Sequence, residues 1–167
     1  MTSTDHLDGE RAQLLEALRQ RRAFLRQTVD GLTDAQAAGR STVSELCPGG
    51  LIKHVALIEQ GWMQFAVGGA EAMPDASSDW AGQFRMADGK TLSELLDDYS
   101  RVAAVTDDLV ATLDLDLPHP LPPAPWFAPG AGWSVRQVLL HLIGETAQHA
   151  GHADILREAI DGHKTMG

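Results

Sequence analysis

Apolar residues recur at helical spacing in four stretches of this chain, and no stretch alternates convincingly with the two-residue period of a half-buried strand. The first stretch runs from about Asp8 to Val29, with Leu14, Leu18, Leu25 and Val29 as its stripe and Leu15 and Phe24 widening it. Thr33-Asp-Ala-Gln36 reads as a capping box that starts a short helical turn rather than a core element. Arg40 to Gly50 reads as a loop, and Pro48-Gly49-Gly50 breaks the chain just before a second helix, Leu51 to Val67. That helix sets Leu51, Val55, Ile58, Trp62 and Phe65 on one face and stops at Gly68-Gly69. A third begins at the capping box Thr91-Leu-Ser-Glu94 and reaches about Leu113, with Leu92, Leu95, Leu96, Tyr99, Val102, Val105 and Leu109 as its expected buried face. The fourth and longest runs from Trp133 to Glu158 and ends near Asp161-Gly162; Ser134 and Gln137 cap it. Its stripe is Val135, Val138, Leu139, Leu142, Ile143, Leu156 and Ile160.

Two connections are long. Glu71 to Phe84 is polar, with Trp80 and Phe84 as apolar anchors, and its length suits a functional lid. Asp114 to Gly132 holds six prolines, which exclude a helix and predict an extended, stiff crossover from one end of a bundle to the other. Trp126, Phe127 and Trp133 are candidates to wall a pocket there. Four amphipathic helices around one core predict an all-α four-helix bundle, a single domain over residues 1–167.

Composition narrows the partners. The formal net charge is −10, from 13 basic and 23 acidic side chains, which argues against nucleic acid or an anionic membrane surface. Arg19, Arg21, Arg22 and Arg26 cluster, yet on a helix they spread around the circumference and read as a solvated face. Cys47 is the single cysteine, so no disulfide framework exists within the chain, and its Cys-Pro-Gly-Gly turn offers no local base for a nucleophile. No secretory signal opens the chain and no apolar run approaches the ~18 residues that span a bilayer, so a cytoplasmic protein is expected. Two exposed faces of amphipathic helices would support a homodimer.

The candidate chemistry sits on the last helix. His141, Glu145, His149 and His152 follow one another at offsets of four, four and three, within about 80° of one another on the helix surface. Either Glu145/His149 or His149/His152 can present two ligands to one ion. A lone histidine beside an apolar stripe is ordinarily a half-buried residue with a backbone partner, but burying three His and a Glu unpaired costs several kcal/mol. A solvated helix edge is the competing account. A complete metal site also needs a ligand from elsewhere in the chain. His54 by itself reads as an ordinary helix histidine, and Glu59, five residues on, lies too far around the helix to share a site with it.

Gly50-Leu-Ile-Lys-His54-Val-Ala-Leu-Ile-Glu59-Gln-Gly-Trp62 and the stretch from Gly132 to Glu158 resemble motifs of the DinB-like superfamily. The resemblance is to its DUF664 branch, with kinship to the N-terminal domain of mycothiol-dependent maleylpyruvate isomerases. It covers nearly the whole chain and implies an up-down-down-up bundle with a divalent metal at one end. The resemblance places one ligand on His54 and two more, four residues apart, on Glu145 and His149. His152 stands where the family has a Gln, which leaves it either an extra ligand or a group that touches one. His141, a turn before Glu145, would hydrogen-bond a ligand or border the pocket. Both are candidate catalytic residues.

Two imidazoles and a carboxylate suit zinc and leave one position for water or substrate; the resemblance implies nickel as the alternative. The resemblance implies an enzyme in which the metal binds a low-molecular-weight thiol such as mycothiol, whose thiolate attacks an electrophilic small molecule. The same ligands would serve a metal-activated hydrolase. Isomerisation is disfavoured, because the chain ends at Gly167 without the isomerases' further C-terminal domain. A non-catalytic, metal-stabilised bundle that binds a small molecule or dimerises is the reading from another class.

Overall fold

Five α-helices carry the computed structural model, which describes residues 9–74, 81–86 and 89–165: α1 (Gly9–Thr28), α2 (Asp34–Ala38), α3 (Pro48–Gly68), α4 (Leu92–Thr112) and α5 (Val135–Asp161). The fold is all-α, and the four long helices pack around a ring in the order α1, α5, α3, α4. Helices α4 and α5 are therefore diagonal, which is why a long crossover separates them. Trp80, one expected loop anchor, lies outside the described residues. Among the described residues no helix is long and apolar enough to cross a membrane.

All three capping boxes form. Thr33, Thr91 and Ser134 each accept from the backbone N–H three residues on, while Gln36, Glu94 and Gln137 reach back. Helix α3, however, starts at Pro48 rather than Leu51. Proline at the first helical position loses no bond that the helix would have made, and Gly49 and Gly50 continue the turn. The expected break is thus the first turn of a helix.

The core has two apolar clusters. One gathers Leu25, Val29, Leu51, Ile52, Val55, Leu95, Tyr99 and Leu156; the other gathers Leu15, Leu18, Met63, Phe65, Val110, Val138 and Leu142. Along each of α1, α3 and α4 a charged residue falls between them. Arg22 pairs with Glu59 and with Asp107, and Arg19 also reaches Asp107. Arg26 donates to the Leu96 carbonyl and to Ser100. The expected solvated arginine face is therefore overturned: Arg22 is buried, and three of the four arginines tie α1 to its neighbours. Burial works to lower the Arg22 pKa, but Glu59 and then Asp107 outweigh it and raise it.

Helix α4 buries most of its expected face: Leu92, Leu95 and Tyr99 are buried, and Leu96 and Leu109 pack against the core. Thr106 and Val110 are buried as well, whereas Val105 is 57% exposed. Val105, Leu57 and Val67 edge an apolar groove of about 550 Å³ between α3 and α4.

The crossover contains a strand pair that the sequence reading did not expect. Pro118–Pro120 (β1) pairs antiparallel with Gly132–Ser134 (β2), placing His119 opposite Trp133. Two of the three β1 residues lack an N–H, so the ladder stays this short. His119 locks it to α3, with Nε2 3.2 Å from the Ala66 carbonyl oxygen.

Candidate metal centre

Helix α3 supplies His54 and helix α5 supplies Glu145 and His149, across the contact between the two helices. Each offers a ligand atom, and these atoms all lie within 4.8 Å of one another. The His54 and His149 rings meet edge to face, their centroids 4.8 Å apart at 79°. His149 Nε2 stands 3.5 Å from a Glu145 carboxylate oxygen, and its Nδ1 lies 3.3 Å from His152 Nδ1. The donor set fits a divalent ion. Donors around a tetrahedral zinc stand about 3.5 Å apart, so closing the present spread takes about an ångström of side-chain movement.

The electrostatics favour neutral His54 and ionised Glu145, the forms in which each can hold a metal. His54 is 3% exposed, and its pKa is pushed down to about 4, first by burial and then by the nearby His149; Glu145 and a Gln83 hydrogen bond oppose this. The Glu145 carboxyl lies below its usual range because His149 hydrogen-bonds it, with His141, His149 and His54 adding to the effect against burial. His141 is also lowered by burial, against the pull of Glu145.

The remaining predicted residues fall into two groups. His152 touches His149 but stands outside the set of three. His141 borders the site among aromatic rings: its centroid is 5.0 Å from Trp62 and 5.1 Å from Trp133, which stack on each other at 4.8 Å. Phe127 packs on Trp133 at 5.6 Å. Of the three aromatics expected to wall a pocket, Trp133 and Phe127 take part, whereas Trp126 is 78% exposed and its ring packs against Phe127. Trp62, read from sequence simply as part of an apolar face, is the ring that joins α3 to this cluster.

Sequence reasoning also missed the role of Phe84, expected only as a loop anchor. Its ring stacks on His54 with centroids 4.1 Å apart and planes 28° from parallel. The signal for it was the paired Gly49-Gly50, whose reason lies in the segment passing over them. None of the three ligand candidates lines the α3/α4 groove; the chemistry, not the volume, marks the site.

The family model described as mycothiol-S-transferase matches residues 13–162. A solved structure described as "Crystal structure of the conserved protein of locus from Enterococcus faecalis" is similar in fold. Its TM-score is 0.65 over 90% of this chain and 96% of that one, at 16% identity. No curated protein matches the chain.

Proposed function

This chain belongs to the mycothiol S-transferase family and has the all-α DinB-like fold; from that premise we propose that it transfers a low-molecular-weight thiol of the mycothiol type to an electrophilic small molecule. The observation that carries the proposal is the meeting of His54, Glu145 and His149 ligand atoms within 4.8 Å, from two helices, in a chain of that family. These three residues would hold the divalent metal, zinc first and nickel second, with a position left for the thiol. A bound ion supplies Lewis acidity, which keeps a thiol deprotonated at neutral pH.

The chain's own residues do the rest. Burial keeps His54 neutral, so no proton has to be displaced before it ligates. Glu145 stays ionised and contributes a negative charge to the site. His149 Nε2 faces Glu145 and its Nδ1 lies 3.3 Å from His152 Nδ1, so His152 backs the ring on the side away from Glu145 and helps to hold its plane. The half-buried wall of Trp62, Trp133 and His141 excludes water on one side and offers flat apolar surface to the electrophile. The net step forms one C–S bond. The S–H proton leaves with the displaced anion, or adds to the electrophile where a ring is opened rather than a group displaced.

The test is metal content by elemental mass spectrometry for the wild type and for His149→Ala, followed by thiol consumption with mycothiol and 1-chloro-2,4-dinitrobenzene. The expected result is near-stoichiometric zinc or nickel, lost in the variant together with thiol consumption. Wild-type thiol consumption by a metal-free His149→Ala protein would overturn the proposal.

A further inference from the structure

The segment Ala81–Met86 crosses the first turn of α3 at very close range. A Cβ on Gly50 would come 1.9 Å from the Phe84 carbonyl oxygen and 2.9 Å from the Arg85 nitrogen, both backbone atoms that cannot step aside. A Cβ on Gly49 would come 2.3 Å from Met86 Sδ, a softer obstacle because that side chain is flexible. Glycine at position 50 is thus what lets backbone rest on backbone. One turn on, Lys53 Nζ donates to the carbonyl oxygens of Gly82, at 2.8 Å, and Arg85, at 3.3 Å. The Cys47 thiol lies 3.6 Å from the Phe84 carbonyl oxygen, so the strap is held from the residue before α3 as well.

All of this seating delivers two side chains to one imidazole. Phe84 lays its ring flat on His54, and Gln83 makes a side-chain hydrogen bond with it. His149 meets His54 edge to face, at 79°. The flat Phe84 ring against one face opposes rotation of the imidazole about its Cβ–Cγ bond.

We propose that the strap 81–86, seated on Gly50 and tied by Lys53, orients His54 as a metal ligand, with Phe84 as the positioning residue. The inference rests on the metal-site reading above. It differs from simple packing in one respect: filling the space requires volume, whereas fixing the imidazole plane requires a flat ring.

The experiment compares wild type, Phe84→Leu and Phe84→Tyr as full-length proteins. Zinc affinity is measured by competition with a chromophoric chelator, the ligand field by the visible spectrum of the cobalt(II) form, and folding by circular dichroism. Phe84→Leu keeps apolarity and most of the volume but lacks the flat face; it is expected to fold, bind zinc about tenfold more weakly and shift the cobalt(II) bands. Phe84→Tyr keeps the ring and is expected to match wild type in both. Should Phe84→Leu fail to fold, Lys53→Met tests the tether instead, with a smaller loss in the same direction. Wild-type affinity and spectrum in Phe84→Leu, or in Lys53→Met where that variant is needed, would overturn the positioning role while leaving the metal site standing. Absence of zinc binding by the wild type itself would remove the metal site and this inference together.

Discussion

The Arg22 guanidinium donates to both oxygens of the Glu59 carboxylate, at 2.5 and 3.1 Å, in the gap between the two apolar clusters. A third bond, at 2.8 Å, goes to Asp107. Removing one partner from a buried pair leaves the other charge uncompensated, so Glu59→Ala should cost about 3–5 kcal/mol in urea denaturation of the metal-free protein. Replacing both, as Arg22→Met with Glu59→Leu, should recover most of that loss. A single Glu59→Ala variant as stable as wild type would show that the pair is not sealed from water.

Acid should destabilise the metal-free protein through His54. An unfolded imidazole takes up its proton near pH 6.5, whereas folded His54 holds out until about pH 4. The unfolded state binds more protons between those values. The stability is therefore fully present above pH 6.5 and lost as pH falls toward 4, by about 3 kcal/mol in all. His141, also lowered by burial, and Glu145, lowered mainly by His149, act in the same direction. Urea midpoints at pH 7 and pH 5 check this: wild type should lose clearly more than His54→Gln over that interval. Equal losses would mean that His54 is not buried in its neutral form.

His152 and His149 should separate cleanly in metal binding. Only His149 belongs to the set whose ligand atoms converge; His152 reaches its Nδ1 from the next turn of α5. Zinc titration of His149→Ala should show binding abolished. His152→Ala should still bind one zinc, roughly tenfold more weakly, because an orienting hydrogen bond is lost rather than a ligand. If His152→Ala loses zinc as completely as His149→Ala, His152 is a fourth ligand.

The elements that sequence could reveal are those whose information is local. Ser134 and Gln137, or Thr91 and Glu94, are three residues apart, so their capping boxes are readable without knowing the rest of the fold. Glu145, His149 and His152 share one helix face for the same reason. His54 was different: its meeting with α5 depends on how two helices pack, and only the family resemblance pointed to it. Arg22 is charged and looked solvated because its partners, Glu59 and Asp107, lie on two other helices. Pro48-Gly49-Gly50 carries every sign of a break, yet Pro48 is neutral at a helix start and Gly50 serves the strap above it. The Pro118–Pro120 strand was hidden because proline masks both the alternation and the donors by which strands are recognised.

The aromatic wall should control recognition of the electrophile without touching the metal. Trp62 and Trp133 are half-buried and stacked, and His141 ties them to the ligand face of α5 one turn from Glu145. An aromatic contact of this kind contributes about 0.5–1.5 kcal/mol beyond its area, which corresponds to roughly a twofold to tenfold change in affinity. Trp133→Leu should therefore raise KM for an aromatic electrophile within that range, with zinc content unchanged and KM for the thiol little affected. Trp126→Leu serves as the control: its ring is 78% exposed and packs against Phe127, away from Trp62 and His141 among the ring contacts of the described residues, so both Michaelis constants should stay at the wild-type value. An unchanged electrophile KM in Trp133→Leu would place the acceptor on another side of the His54, Glu145 and His149 cluster and leave these tryptophans as packing alone.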